Sequence, residues 1–88
     1  MDKKKMLLGV ATILGTCADI RQDAYIEGYV YAGLMGNFTL DEFHRVMDFL
    51  VHSGTIERLG GHMFAVTEKG YAMGEKFNEA LKSQGVTP

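Results

Sequence analysis

The stretch IERLGGHMFAVTEKG, residues 56–70, constrains the fold more tightly than any other. Two apolar-rich runs, TIERL and HMFAVT, flank Gly60-Gly61, and paired glycines supply the positive φ angles of a two-residue type I′ turn. The pattern predicts an antiparallel β-hairpin over residues 55–67. In that register Leu59 faces His62 and Glu57 faces Phe64. One face then carries Leu59, Phe64 and Val66, and the other carries Ile56, Met63 and Ala65. Both faces are partly apolar, so alternation alone leaves open which one meets the core. Thr67 is placed to cap a last helix carrying Tyr71, Met73, Phe77 and Leu81, with Gly85 marking its fraying end. Gly70 and Gly74, one turn apart, leave a smooth patch that another backbone can approach.

Upstream, FTLDEFHRVMDFLVHSG predicts a helix over 39–53. Thr39 and Glu42 have the spacing of a capping box, Phe38 and Phe43 that of a hydrophobic staple, and Gly54 is a natural stop. Leu40, Phe43, Met47 and Leu50 share its apolar face. Asp41, Arg45, Asp48 and His52 form the outward stripe, with His44 at its margin, and Phe49 points away from the main apolar face. Ahead of this helix, EGYVYAGLMG (27–36) reads as a short helix ended by Gly36 and Asn37, and ADIRQDAYIE (18–27) as a connection with room for a short strand near Tyr25-Ile26. At the N-terminal end Leu7, Val10, Ala11, Leu14 and Ala18 follow helical spacing, and Met6, Ile13 and Cys17 widen the stripe. A helix apolar on more than one side needs two partners, one of them supplied by another chain, so Met6 and Ile13 are candidate protein contacts; Phe49, off its own helix's apolar face, and the smooth patch at Gly70 and Gly74 are others.

Lys3, Lys4 and Lys5 ahead of MLLGVATILGTC superficially resemble a secretory signal, with Cys17 where a lipidated cysteine would stand. Thr16 is unsuited to that cleavage site, and the apolar run is too short for a bilayer, which needs about 20 residues. A core helix is the expectation, with no membrane partner. The lone cysteine excludes an internal disulfide and fits a reducing cytoplasm.

The order helix, helix, helix, hairpin, helix (α-α-α-β-β-α) is that of a winged helix-turn-helix: mainly α with a small antiparallel hairpin, in one domain spanning residues 1–88. Residues 24–75 resemble winged-helix regulators of the MarR and PadR kind. The resemblance is carried by Leu34 closing the second helix, Thr39 opening the recognition helix, Gly54-Thr55-Ile56 leading into the wing, and Val66-Thr67-Glu68-Lys69-Gly70 opening the last helix. It implies binding of double-stranded DNA by a homodimer built through terminal helices, with helix 39–53 in the major groove and the wing near the backbone or minor groove.

Charge bears on that implication. Nine Lys+Arg against eleven Asp+Glu give a formal −2, without the basic excess of a dedicated nucleic-acid binder. Asp41, Glu42 and Asp48 outnumber Arg45 on the recognition helix. Thr39, His44, Arg45, Arg58, His62 and Lys69 are the candidate DNA contacts, Arg58 and His62 lying beside the wing tip. Asp41–Arg45 and Asp48–His52 also have the spacing of ordinary i,i+4 pairs, and Arg58 of a cross-hairpin pair. A winged-helix module that binds another protein and no DNA is the alternative. His44, His52, His62 and Cys17 lack metal-ligand spacing, and no phosphate loop or catalytic motif is recognised. The expectation is therefore a non-enzyme without cofactor or metal.

Overall fold

The computed structural model describes residues 1–83; the end expected at Gly85 lies outside them. Its elements are α1 (Lys3–Ile20), β1 (Tyr25–Ile26), α2 (Glu27–Leu34), α3 (Leu40–His52), β2 (Ile56–Arg58), β3 (Met63–Val66) and α4 (Glu68–Ser83). The expected α-α-α-β-β-α order is thus corrected to α-β-α-α-β-β-α. Tyr25 and Ile26 pair antiparallel with Phe64 and Met63, which turns the hairpin into a three-stranded sheet of order β1-β3-β2. The short strand for which the connection had room near Tyr25-Ile26 forms there, while its pairing, with a segment nearly forty residues away, was beyond what periodicity could announce. The result is mainly helical with a small antiparallel sheet, an arrangement compatible with a winged helix.

Local chemistry explains most element boundaries. Asp2 caps α1 by accepting from the Lys5 N–H at 2.8 Å, and Arg21 ends it in the left-handed region at φ 45°. α2 stops two residues short of the 27–36 span: Met35 is its cap, and neither Gly36 nor Asn37 takes a positive φ. The Met35 side chain is buried, and its carbonyl accepts from the Phe38 N–H at 2.9 Å in the turn that leads to α3. The capping box forms as expected, with Glu42 N–H to Thr39 Oγ1 at 3.1 Å and Thr39 N–H to Glu42 Oε1 at 2.9 Å. Gly54, at φ 78°, releases the chain from α3, and the Thr55 hydroxyl caps the Leu50 carbonyl at 2.9 Å. Thr67 opens α4 by accepting from the Gly70 N–H.

The hairpin register differs by one residue from the two-residue turn expected. Ile56 lies opposite Val66, Glu57 opposite Ala65 and Arg58 opposite Phe64. The Leu59 N–H reaches the Met63 carbonyl, so the loop is Gly60-Gly61-His62, all three at positive φ. Cross-strand partners share a face, so the slip puts Ile56 with Phe64 and Val66 and moves Leu59 to the other side. Ile56 and Phe64 are buried and Leu59 is exposed. His62 carries the extra position because its carbonyl accepts from the Glu27 N–H at 2.9 Å, tying the loop to the start of α2.

Beneath the sheet, Val10, Ile13, Leu14 and Cys17 of α1 pack with Phe43, Val46, Met47 and Leu50 of α3, together with Tyr25, Val30, Met35 and Phe38. Phe38 and Phe43 are both in this core, as a staple requires. Three expected core residues stay outside it: Leu7, Leu40 and Leu81 are exposed, lying near helix ends that no other described element covers. Val46 takes the place expected for Leu40.

Candidate functional site

The outward side of α3 is free of packing. Asp41, His44, Arg45, Asp48 and His52 are all exposed, because the opposite side is held by four buried apolar residues and the capping box fixes the helix start. The sheet continues this surface. Arg58, on β2, donates to Asp48 Oδ1 at 2.7 Å and lies 3.6 Å from Glu27 Oε1, which accepts no hydrogen bond. One guanidinium therefore joins the hairpin, α3 and the first turn of α2.

Charges on this surface are largely satisfied by the protein itself. Arg45 pairs with Asp41 at 3.3 Å, as the i,i+4 spacing implied. Asp48 turns to Arg58, so the expected Asp48–His52 pair is replaced. Lys69 donates to the Ser53 carbonyl at 2.8 Å, where a cation opposes the partial negative charge at the end of α3. Thr39 spends its hydroxyl on the cap. Lys5 binds Glu42 at 2.8 and 2.9 Å, and this bond, followed by the Thr39 N–H, holds the Glu42 carboxyl below the usual range. His44, His52 and His62 are exposed. Asp48 and Glu27 were not singled out as partners of Arg58; the opposite signs in their side chains were the available signal, but their proximity requires the folded sheet.

The candidate protein contacts divide. Phe49 is 44% exposed and, with Met6, lines an apolar groove between α1, the end of α3 and α4. Leu7, Val10, Met73 and Phe77 also line the groove, whose volume is about 460 Å³. Ile13 is fully buried in the chain's own core and offers no surface. Gly70 and Gly74 are likewise corrected: a Cβ at Gly70 would collide with the Thr55 carbonyl, and one at Gly74 with the Leu14 carbonyl. The close backbone approach that the glycines signalled is made within this chain.

A polar cluster was missed altogether. The Tyr25 hydroxyl meets the Tyr71 hydroxyl at 2.8 Å, accepts from the Gln22 N–H at 2.9 Å and reaches the Cys17 carbonyl at 3.2 Å. Arg21 stacks on the Tyr71 ring and pairs with Glu75. The cluster staples the 21–24 turn to α4. Burial pushes the Cys17 thiol up to about 11, against a smaller opposing effect of its hydrogen bond with Tyr25, so it is a poor nucleophile or metal ligand. Burial and the Tyr71 hydroxyl raise Tyr25 as well. Among the described residues no group of three or more potential ligands could hold a metal ion, and no helix is long and apolar enough to cross a membrane.

No family model, curated protein or solved structure matches the chain.

Proposed function

We propose that this chain is a small winged-helix regulator, of the kind typified by MarR and PadR proteins, that binds double-stranded DNA as a homodimer. In this reading α3 enters the major groove and the hairpin lies on the adjacent backbone. The observation that carries it is the Arg58–Asp48 contact, which makes the open face of α3 and the hairpin one continuous surface. His44 and Arg45 face outward from the helix, and His62 from the hairpin loop. The internal carboxylates set the energetics. Asp41 and Asp48 already pair with Arg45 and Arg58, so phosphates have to displace them and binding is weak and strongly salt-dependent.

The test is titration of random-sequence duplex DNA with the wild type and Asp48→Asn at low salt. Salt-sensitive binding that tightens several-fold in Asp48→Asn and weakens in Arg45→Ala or Arg58→Ala is expected. No binding by either the wild type or Asp48→Asn overturns it.

A second reading, a winged-helix module that binds protein without DNA, is favoured by the exposed Phe49 beside the apolar groove. It requires Phe49→Glu to release a protein partner captured by the wild type; a partner set unchanged by that substitution removes it.

A further inference from the structure

We infer that Glu27 is the positioning residue of Arg58: when a backbone phosphate of duplex DNA draws the guanidinium off Asp48, Glu27 keeps hold of it and turns its free edge outward. This rests on the DNA-binding reading above, and it gives the two carboxylates beside one arginine opposite roles.

The two differ in setting. Asp48 stands on the open side of α3 with its side chain 75% exposed, and accepts from the Arg58 Nη2 at 2.7 Å. Glu27, the first residue of α2, is only 13% exposed, and its Oε1 lies 3.6 Å from Nη1 of the same guanidinium. That oxygen is buried and accepts no hydrogen bond, alone in this among the buried side-chain oxygens and nitrogens of the described residues. A small shift of the guanidinium off Asp48 closes the gap and satisfies it.

Burial decides which carboxylate yields. Losing Arg58 returns Asp48 to water at little cost, whereas it leaves Glu27 a buried carboxylate without a partner. Phosphate therefore displaces Asp48 first. The guanidinium is a planar fork of five donors, so Nη1 stays on Glu27 while Nη2 turns to a phosphate oxygen. The Glu27 N–H meanwhile donates to the His62 carbonyl at 2.9 Å, so one residue fixes both the hairpin loop and its arginine. Net charge alone predicts otherwise: each carboxylate repels DNA, and removing either would tighten binding.

Titration of duplex DNA at low salt with Asp48→Asn, Glu27→Gln, Arg58→Ala and the double variant Glu27→Gln/Arg58→Ala tests this. Glutamine keeps the side-chain shape and the backbone N–H, and melting curves establish that each variant is folded. Asp48→Asn is expected to tighten binding several-fold and Glu27→Gln to weaken it several-fold, with no further weakening once Arg58 is replaced. A general loosening of the sheet would weaken binding in both backgrounds. Without DNA, NMR relaxation of the Arg58 Nε–H group is expected to report an ordered side chain in Asp48→Asn and a mobile one when Glu27→Gln is added. Tighter binding by Glu27→Gln, equal weakening with and without Arg58, or a mobile Arg58 in Asp48→Asn overturns the inference while DNA binding stands. Absence of DNA binding by both the wild type and Asp48→Asn overturns the DNA-binding reading and the inference with it.

Discussion

At Gly74, a methyl group would approach the Leu14 carbonyl carbon to 2.7 Å and the Ala18 Cβ to 3.0 Å. Neither neighbour is the free end of a side chain, so the helices themselves must separate. Gly74→Ala is expected to cost about 2 kcal/mol or more, although alanine is the better helix former by about 1 kcal/mol. Urea unfolding checks this, with Gly33→Ala as the contrast: nothing lies within 4 Å of that position, and the helix gain is expected to appear as stabilisation. That a backbone comes close to Gly70 and Gly74 was legible from their spacing, but which backbone was not, because a glycine carries no mark of its neighbour's chain. Cys17, almost wholly buried and with its thiol held up near 11, is expected to resist alkylation in the native protein and to react at the unfolding rate in denaturant. Rapid labelling under native conditions would show that the α1–α4 seam opens.

For single elements, α3 was the most legible because its signals agree: cap, staple, apolar period and glycine stop all mark one thirteen-residue helix. Thr39→Ala is expected to lower stability by about 1 kcal/mol through loss of the N-cap, measurable by denaturant titration. Glu42 adds a pH signature. Its carboxyl is held below the usual range by Lys5 and the Thr39 N–H, so the folded state binds its proton less readily than the unfolded chain. The stabilisation is complete above the ordinary glutamate range and is lost as pH falls through the lowered value. The melting-temperature gap between wild type and Glu42→Gln is therefore expected to close on acidification; a gap independent of pH would exclude the ionised pair. The hairpin was legible as a hairpin but not in register. Gly60-Gly61 satisfies a two-residue turn by itself, and the deciding bond, from Glu27 to the His62 carbonyl, belongs to another part of the chain.

Over the molecule as a whole, a connected patch of paired charge lies beside apolar surface left open on several elements. Arginines and carboxylates neutralise one another across α3, α2 and the hairpin, whereas Leu7, Leu8, Phe49 and Leu81 are left open along α1, α4 and the end of α3. The net acidity was legible from composition; this charge pairing was not, since the Arg58 contacts arise only when β2, α2 and α3 converge. Asp48→Asn separates the two uses of that arginine: if the ion pair serves stability alone, the variant melts lower with no gain in affinity for duplex DNA, whereas a regulator held in check by its own carboxylate binds more tightly. The sheet has a further consequence. Its two outer strands span only two and three residues, and the four-residue strand lies between them. Such short borders offer a foreign chain few free amide and carbonyl groups, making fibril-like strand recruitment unfavourable. Solutions of the folded protein are therefore expected to remain clear and negative to amyloid dye on prolonged incubation.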